Sequence, residues 1–350
     1  MATMSTNTEC KSWSDLPVDI LNMFTPRLDI ISQIRFRAVC RRWQRAQIVR
    51  RGTNLPWLMG HCWGNEENNI LSLCSVHIPF INETHTITNK IEGEACGYLH
   101  GSFISASKYG WLLLQKSTRP FFYNPLTMEI IQLPEMEMIS FNRASFSAAP
   151  TSPDCVCFAI QSSKDSDLVF ISTCSPGDKE WRTIVLYGFN KSIEDVVYSN
   201  GNFFCVFNGG LLGALCIEDH NWVLLTDMEP ITEKILPRSR THLVESNGDL
   251  LLVCPCETFE VFVFGWEEMT WKKLQRLQKI AIFLGCTSFS VSAEEEEEAS
   301  DTTVAGRIYY HRNEHTISHL LATGEEYRCP IYHWRTEQWL ERIWIQPLPY

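Results

Sequence analysis

VVYSNGNFFCVF, residues 196–207, and LVESNGDLLLVC, residues 243–254, read alike: an apolar run, Ser-Asn-Gly, and a second apolar run. Asn-Gly is the pair that a type I′ hairpin turn prefers, because both central residues need positive φ. Each segment is therefore predicted as two antiparallel strands. SASKYGWLLLQ, around Gly110, is a looser third copy.

A second marker follows each hairpin. The runs KEWRTIVL, HNWVLLTD and MTWKKLQR place Trp181, Trp222 and Trp271 41 and 49 residues apart, and LTMEIIQLP puts Met128 at the comparable place. A repeat of this length made of four short strands is what a β-propeller blade requires, since its apolar faces are covered only by its neighbours. The recurrent tryptophan is then a packing residue between blades. Six blades can be counted: Trp57–Glu92, Cys96–Glu137, Phe141–Phe189, Ser192–Thr232, Arg240–Gln278 and Lys279–Pro349. The count stays open to five or seven. The first copy is degenerate, the sixth is long, and the ring could close by mixing strands from both ends.

Ahead of this body, from residue 13 to 51, stands WSDLPVDILNMFTPRLDIISQIRFRAVCRRWQRAQIVRR. Leu16, Ile20 and Phe24 recur every four residues, and Pro17 suits the first turn of a helix, so a helix is expected from about Pro17 to Phe24. Pro26 ends it, and Asp29 is placed to cap a second helix from Ile30. Phe36, Val39, Cys40 and Trp43 form one apolar stripe of a further helical stretch, with arginine on the other face, and whether it breaks near Val39 stays open. A unit of roughly 40 residues buries its own apolar surface poorly, so a partner should cover part of it.

The 350 residues are 45% hydrophobic and 20% charged, enough for one large domain with a small appendage. No signal-like apolar core opens the chain and no run approaches the roughly 20 residues that span a bilayer, which points away from secretion and membranes. Cys157, Cys205, Cys216 and Cys286 sit in apolar, strand-like runs, so the fourteen cysteines read as reduced thiols of a cytosolic or nuclear protein rather than a disulfide framework. Residues 11–51 carry nine Lys/Arg against three Asp/Glu, about +6, which leaves about −17 of the net −11 to the remainder. Such an acidic body argues against nucleic acid as partner, although Arg35, Arg37, Arg41, Arg42, Arg45, Arg50 and Arg51 alone would fit a nucleic-acid helix or nuclear signal.

The Leu16-Pro17 start, the Arg27-Leu28 pair and the RFRAVCRRW ending at Trp43 resemble an F-box. FFYNPLTMEIIQLPEM (from Phe121), FSAAPTSPDCVCFAI (from Phe146), the two Asn-Gly hairpins and the terminal WIQPLP resemble the plant F-box proteins whose C-terminal half is a kelch-like propeller. The paired glycines with spaced Tyr and Trp of true kelch repeats are absent. The resemblance implies a small all-α F-box at 11–51 and an all-β propeller at 55–350. It implies a substrate-recognition subunit of a Skp–cullin–F-box ubiquitin ligase, binding a Skp-type adaptor, and through it a cullin–RING ligase, and a protein target through the propeller. Carried over by motif position, Leu16, Pro17, Ile20, Leu28, Ile34, Val39 and Trp43 would contact the adaptor. A non-degradative sequestering module is the alternative, and a generic three-helix cap the structural one.

Nothing nominates a catalytic residue, cofactor or metal ion. His311, His315 and His319 have helical spacing, as in zinc sites, but GRIYYHRNEHTISHLLAT reads as strand, turn, strand. Cys155/Cys157 and Cys254/Cys256 lack a second pair at zinc-finger distance and read as buried small hydrophobes. Gly209, Gly210 and Gly213 have neither the following helix nor the lysine of a phosphate loop and read as a turn. Glu294–Glu298 reads as a solvated loop.

Overall fold

Asn200 and Gly201, Asn247 and Gly248, and Tyr109 and Gly110 all have positive φ, from 46° to 92°, as type I′ turns demand. The computed structural model describes residues 12–47, 55–66, 69–78, 83–91, 99, 101–137, 140–162, 166–226, 240–255, 258–292, 304–312, 315–329 and 341–346. The chain divides into two compact units, Met1–Thr53 with Leu126–Met128 and Tyr350, and Asn54–Pro125 with Glu129–Pro349.

The first unit is helical. A 3₁₀ turn at Trp13–Asp15 is closed by a capping box between Ser12 and Asp15. It leads to α1 (Val18–Phe24), for which Pro17 is the N-cap and not, as expected, a first-turn residue. Asp29 caps α2 (Ile30–Arg37) as predicted, its carboxylate accepting from the Ser32 N–H at 2.9 Å. The expected helical stripe through Val39 is broken: α2 stops at Arg37, and helical geometry resumes only as a 3₁₀ turn at Trp43–Arg45. Phe36 still reaches Trp43, ring centroids 4.4 Å apart.

The second unit is a six-bladed propeller. The first blade holds β1 (Trp57–Glu66), β2 (Asn69–Ile78) and β3 (Glu83–Ile91), the second β4 (Phe103–Lys108), β5 (Trp111–Lys116), β6 (Arg119–Tyr123) and β7 (Ile130–Gln132). The third holds β8 (Arg143–Phe146), β9 (Cys157–Ser162), β10 (Leu168–Cys174) and β11 (Arg182–Tyr187), the fourth β12 (Ile193–Ser199), β13 (Asn202–Phe207), β14 (Leu211–Cys216) and β15 (Trp222–Leu224). The fifth holds β16 (His242–Ser246), β17 (Asp249–Pro255), β18 (Phe259–Gly265) and β19 (Thr270–Leu274). The sixth holds β20 (Ile280–Phe283), β21 (Phe289–Ser292), β22 (Arg307–Arg312), β23 (His315–Leu320) and β24 (Glu325–Arg328).

The last strand, β25 (Glu341–Ile345), does not belong to the sixth blade where the sequence count placed it. It pairs antiparallel with β1, from Trp57↔Ile345 to His61↔Glu341, and supplies the first blade's inner strand. The ring thus closes by mixing both chain ends. The sixth blade has five strands, β21-β20-β22-β23-β24, with β20 and β22 parallel. That extra strand accounts for part of its length.

Successive blades bury each other's faces. Phe146 and Cys157 of the third blade pack with Leu113 and Phe122 of the second, and Phe158 and Ile160 pack with Phe203 and Cys205 of the fourth. The tryptophans span these seams as predicted. Trp181 Nε1–H donates to the Pro134 carbonyl at 2.8 Å, and Trp271 Nε1–H to the Gly210 carbonyl at 2.8 Å, each in the preceding blade. Trp222 lies across Gly213, where a Cβ would collide with its ring. Met128 does not join this set: it is exposed, with φ 63°, and Ile131 packs at the seam instead. Gly209 and Gly210 form the expected turn, whereas Gly213, read as part of it, lies within β14. Cys286 lies in a bend after β20 rather than in a strand.

Cys256, Arg50, Arg51, Glu294–Glu298 and the blade limits Glu92, Cys96, Thr232 and Pro349 lie outside the described residues.

Truncating Trp271 removes a seam-filling ring and strands a buried carbonyl. Trp271→Ala is expected to destabilise the propeller by about 3–5 kcal/mol in urea unfolding. A loss under about 1 kcal/mol would contradict its place in the seam.

Candidate functional site

On α1 the helical period places Ile20, Met23 and Phe24 on one side and Leu21 on the other. Leu21 is fully buried, whereas Ile20, Met23 and Phe24 are exposed, Met23 by 65%. Pro17, at the cap, extends this apolar strip, and Leu16 and Leu28 are half-buried beside it in sequence. Trp13 and Val39 are also exposed, Val39 by 62%. Large apolar side chains in water on so small a unit mark an interaction surface.

The seven residues expected to meet an adaptor therefore fall into three groups. Pro17, Ile20 and Val39 are presented to solvent; Leu16, Leu28 and Trp43 are partly so; Ile34 is only 6% exposed. Trp43 is positioned by its Nε1–H, which donates to the Trp13 carbonyl at 3.1 Å, and Arg42 reaches the Asp15 carboxylate at 3.4 Å. Met23, Phe24 and Trp13 were not among the expected contacts. The signal for the first two was present, since they stand at i+3 and i+4 from Ile20.

In the propeller, polar groups gather at both ends of the inner strands. Where β8, β12 and β16 begin, buried Asp195 accepts from Arg240 Nη2 at 3.3 Å and from the Leu243 N–H at 3.0 Å. Arg240 Nη2 also donates to the Gly285 carbonyl at 2.9 Å, and Arg143 Nε to the Glu194 carbonyl at 2.6 Å. The third to sixth blades are thereby laced together. Burial raises the Asp195 carboxyl above its usual range, with Arg240 pulling the other way.

Ser288, His242 and Asp195 superficially compose a hydrolase triad, with Ser288 Oγ 2.9 Å from His242 Nδ1 and Asp195 Oδ2 3.9 Å from the same nitrogen. A relay needs the hydroxyl and the carboxylate on opposite nitrogens. Here Arg240, which can only donate, also meets Nδ1 at 3.2 Å, so that nitrogen carries a lone pair and cannot donate to Asp195. Burial, with Arg240 and Arg143 nearby, holds the His242 pKa well below its usual value. The arrangement is a structural tie.

At the opposite end, the Lys108 ammonium lies 4.9 Å from the centre of the Tyr109 ring and 5.4 Å from that of Tyr198. Burial lowers its pKa to about 8. Cys155, Cys157 and Cys174 are buried in one seam, and burial pushes the Cys155 thiol up to about 11, which makes it a poor nucleophile.

The histidines take the predicted hairpin, with Arg312 opposite His315 and Ile308 opposite His319. His319 therefore shares the face of Ile308, next to the Phe259 ring at 5.2 Å, while His311 points to the other face and stacks on Trp344 at 4.5 Å. Their imidazoles cannot converge on one ion.

This architecture is that of an F-box protein whose body is a propeller. The F-box domain profile matches residues 13–47, and that of the KIB1-4 beta-propeller matches 78–329. The chain belongs to the KIB1-4 beta-propeller family. Its relatives in Arabidopsis thaliana include F-box protein At3g56470, 25% identical over 96% of this chain and 89% of that one, and F-box protein At4g00893, 28% identical over 95% and 86%. F-box/kelch-repeat protein At1g57790 is 26% identical over 98% of both chains. Among solved structures, the computationally designed Ika8 protein is 10% identical with a TM-score of 0.38, covering 79% of this chain and 74% of that one.

His311 carries a pH prediction. Its folded pKa, about 3, lies below the unfolded value near 6.5, so protons favour the unfolded chain as pH falls. Stability is complete above pH ~6.5 and declines below it by up to about 1.4 kcal/mol per pH unit for this one group. His311→Phe keeps a flat ring on Trp344 and should lose about 1–2 kcal/mol less than the parent between pH 7 and pH 5 in urea titrations. Equal losses would show that His311 is not held neutral.

Proposed function

We propose that this protein is the substrate-recognition subunit of a Skp–cullin–F-box ubiquitin ligase. The observation that carries the reading is the solvent-facing strip of Pro17, Ile20, Met23 and Phe24 inside the matched F-box. A Skp-type adaptor would cover it, and the propeller would hold a protein target near the ubiquitin-charged enzyme. Such a subunit is a non-catalytic receptor that contributes effective concentration and orientation. The division of labour follows domain limits near 11–51 and 55–350. A nuclear or cytoplasmic location fits the free thiols of nine cysteines, Cys155, Cys157 and Cys205 among them. Neither nucleic acid nor membrane is needed for this role.

Leu16→Ala with Pro17→Ala should weaken adaptor binding at least tenfold in calorimetric titration, more than about 1.4 kcal/mol, because a small interface rests on few anchors. Unchanged affinity sinks the assignment. A chain starting near Thr53 should fold and bind the target yet protect it from degradation when overproduced, since blade-to-blade burial does not require the F-box helices. Accelerated target loss with that shortened chain would refute the two-module mechanism. A target bound by the full protein but not turned over would instead indicate sequestration.

A further inference from the structure

Between the fourth and fifth blades, on the face carrying the Asn-Gly turns, lies a cleft of about 570 Å³. Its floor is apolar, built from Phe204, Ala214, Val223 and Leu225. One wall is Trp266, 44% exposed. The indole is held and not loose, edge-on to Phe204 at 5.6 Å and to Phe264 at 5.0 Å. A large aromatic ring fixed at the surface of a cleft is the kind of anchor on which binding energy concentrates.

The polar lining is almost neutral. Asp219 is the one formal charge, and its carboxylate accepts from the Asn221 main-chain N–H at 3.0 Å. The side-chain amides of Asn200 and Asn221 and the Trp266 indole N–H have no hydrogen-bond partner among the described residues, whereas Asn202 is engaged with the Asn200 carbonyl at 3.0 Å. A carboxamide offers two donors and an acceptor, which matches the alternating N–H and C=O groups of an extended main chain. The volume suits one large side chain with its flanking backbone.

We propose that this cleft binds an extended, uncharged peptide segment of the target, with an apolar side chain seated against Trp266 and the main chain paired to Asn200 and Asn221. The proposal rests on the receptor reading above and adds to it the face and the chemistry of the target. Charged side chains would find no countercharge in the cleft beyond Asp219. A sugar ring could stack on the indole, but its hydroxyl rim would be buried unpaired against Phe204 and Leu225.

The test is to pan a phage-displayed library of random linear peptides against the full-length protein, then measure a synthetic consensus peptide by fluorescence anisotropy. The expected consensus contains an aromatic or large aliphatic residue and lacks net charge. Trp266→Ala should weaken it at least tenfold. Because that change could loosen Phe204 and Phe264, Asn200→Gly serves as the second variant: glycine keeps the φ of 46° at this turn and deletes only the amide. It should cost about threefold or more, as for one hydrogen bond. Replacing the exposed Tyr187 at the end of β11, Tyr187→Ala, should change nothing.

Absence of any enriched peptide overturns the proposal, as does a consensus of acidic peptides lost in Lys108→Ala but kept in Trp266→Ala. So does an oligosaccharide that binds through Trp266 while peptides do not. Adaptor titration of the same preparations separates the two readings: peptide binding without adaptor binding would remove the ligase role and leave the cleft standing.

Discussion

The pairing of β25 with β1 is the contact on which the rest of the propeller depends. It joins Trp57 to Ile345, strands almost the whole chain apart, through five consecutive residue pairs. A propeller keeps each blade's inner edge short and protected, and without this strand the first blade would lack its innermost strand. The entropy of closing so long a loop grows only with the logarithm of its length, so a short strand with good side-chain anchoring can hold it. Trp344 provides that anchoring. Its Nε1–H donates to the Leu284 carbonyl at 3.0 Å, its ring meets Phe283 and His311, and its own carbonyl accepts from Ser107 Oγ at 3.0 Å. One residue thereby ties the sixth, first and second blades.

Closure in turn decides where polar groups can be spared. At the start of the inner strands, Asp195, Arg240, His242 and Ser288 bond to one another and to the adjoining carbonyls, with Arg240 Nε left unpartnered, and the buried carboxylate is tolerable because charged and backbone donors surround it. The reward is geometric, since four blades are fixed at one point. At the other end the turns project outward, and the polar groups of Asn200 and Asn221 stay available. The ring thus has one end laced by polar ties and one end where the amides of Asn200 and Asn221 face outward.

Much of this was legible in the sequence because local and tertiary signals coincide at the turns. Asn-Gly fixes positive φ, and the apolar runs on both sides fix strands, so six blades could be counted, although the limits of the sixth wrongly took in the strand Glu341–Ile345. What was hidden depends on partners far along the chain. Nothing local marks Glu341–Ile345 as a strand of the first blade, and nothing in IAIFLGCTSFSVS shows that β21 turns inward to become the innermost strand of a five-stranded sheet. Met128 was matched to the tryptophans by spacing alone, and Ile131 took the seam because it falls on the strand. In the F-box the caps at Ser12 and Asp29 are local chemistry, but the end of α2 at Arg37 is not, since the apolar period runs on through Val39 and Trp43. Exposure of Met23 beside buried Leu21 is likewise a tertiary fact.

The same reasoning bears on how such a receptor could discriminate. The charges at the ends of the inner strands are engaged internally, as Arg240 and Asp195 are with each other, or set against rings, as Lys108 is beside Tyr109 and Tyr198. Recognition built from what remains, an indole and neutral amides over an apolar floor, gains little from long-range charge steering and depends on desolvation and fit. Discrimination then comes from the penalty for a wrong group, because a charged or poorly shaped side chain would lose its water without finding a partner. A net charge of −11 repels acidic partners at a distance in any case, so under the proposed reading a neutral site at close range would select among those that arrive.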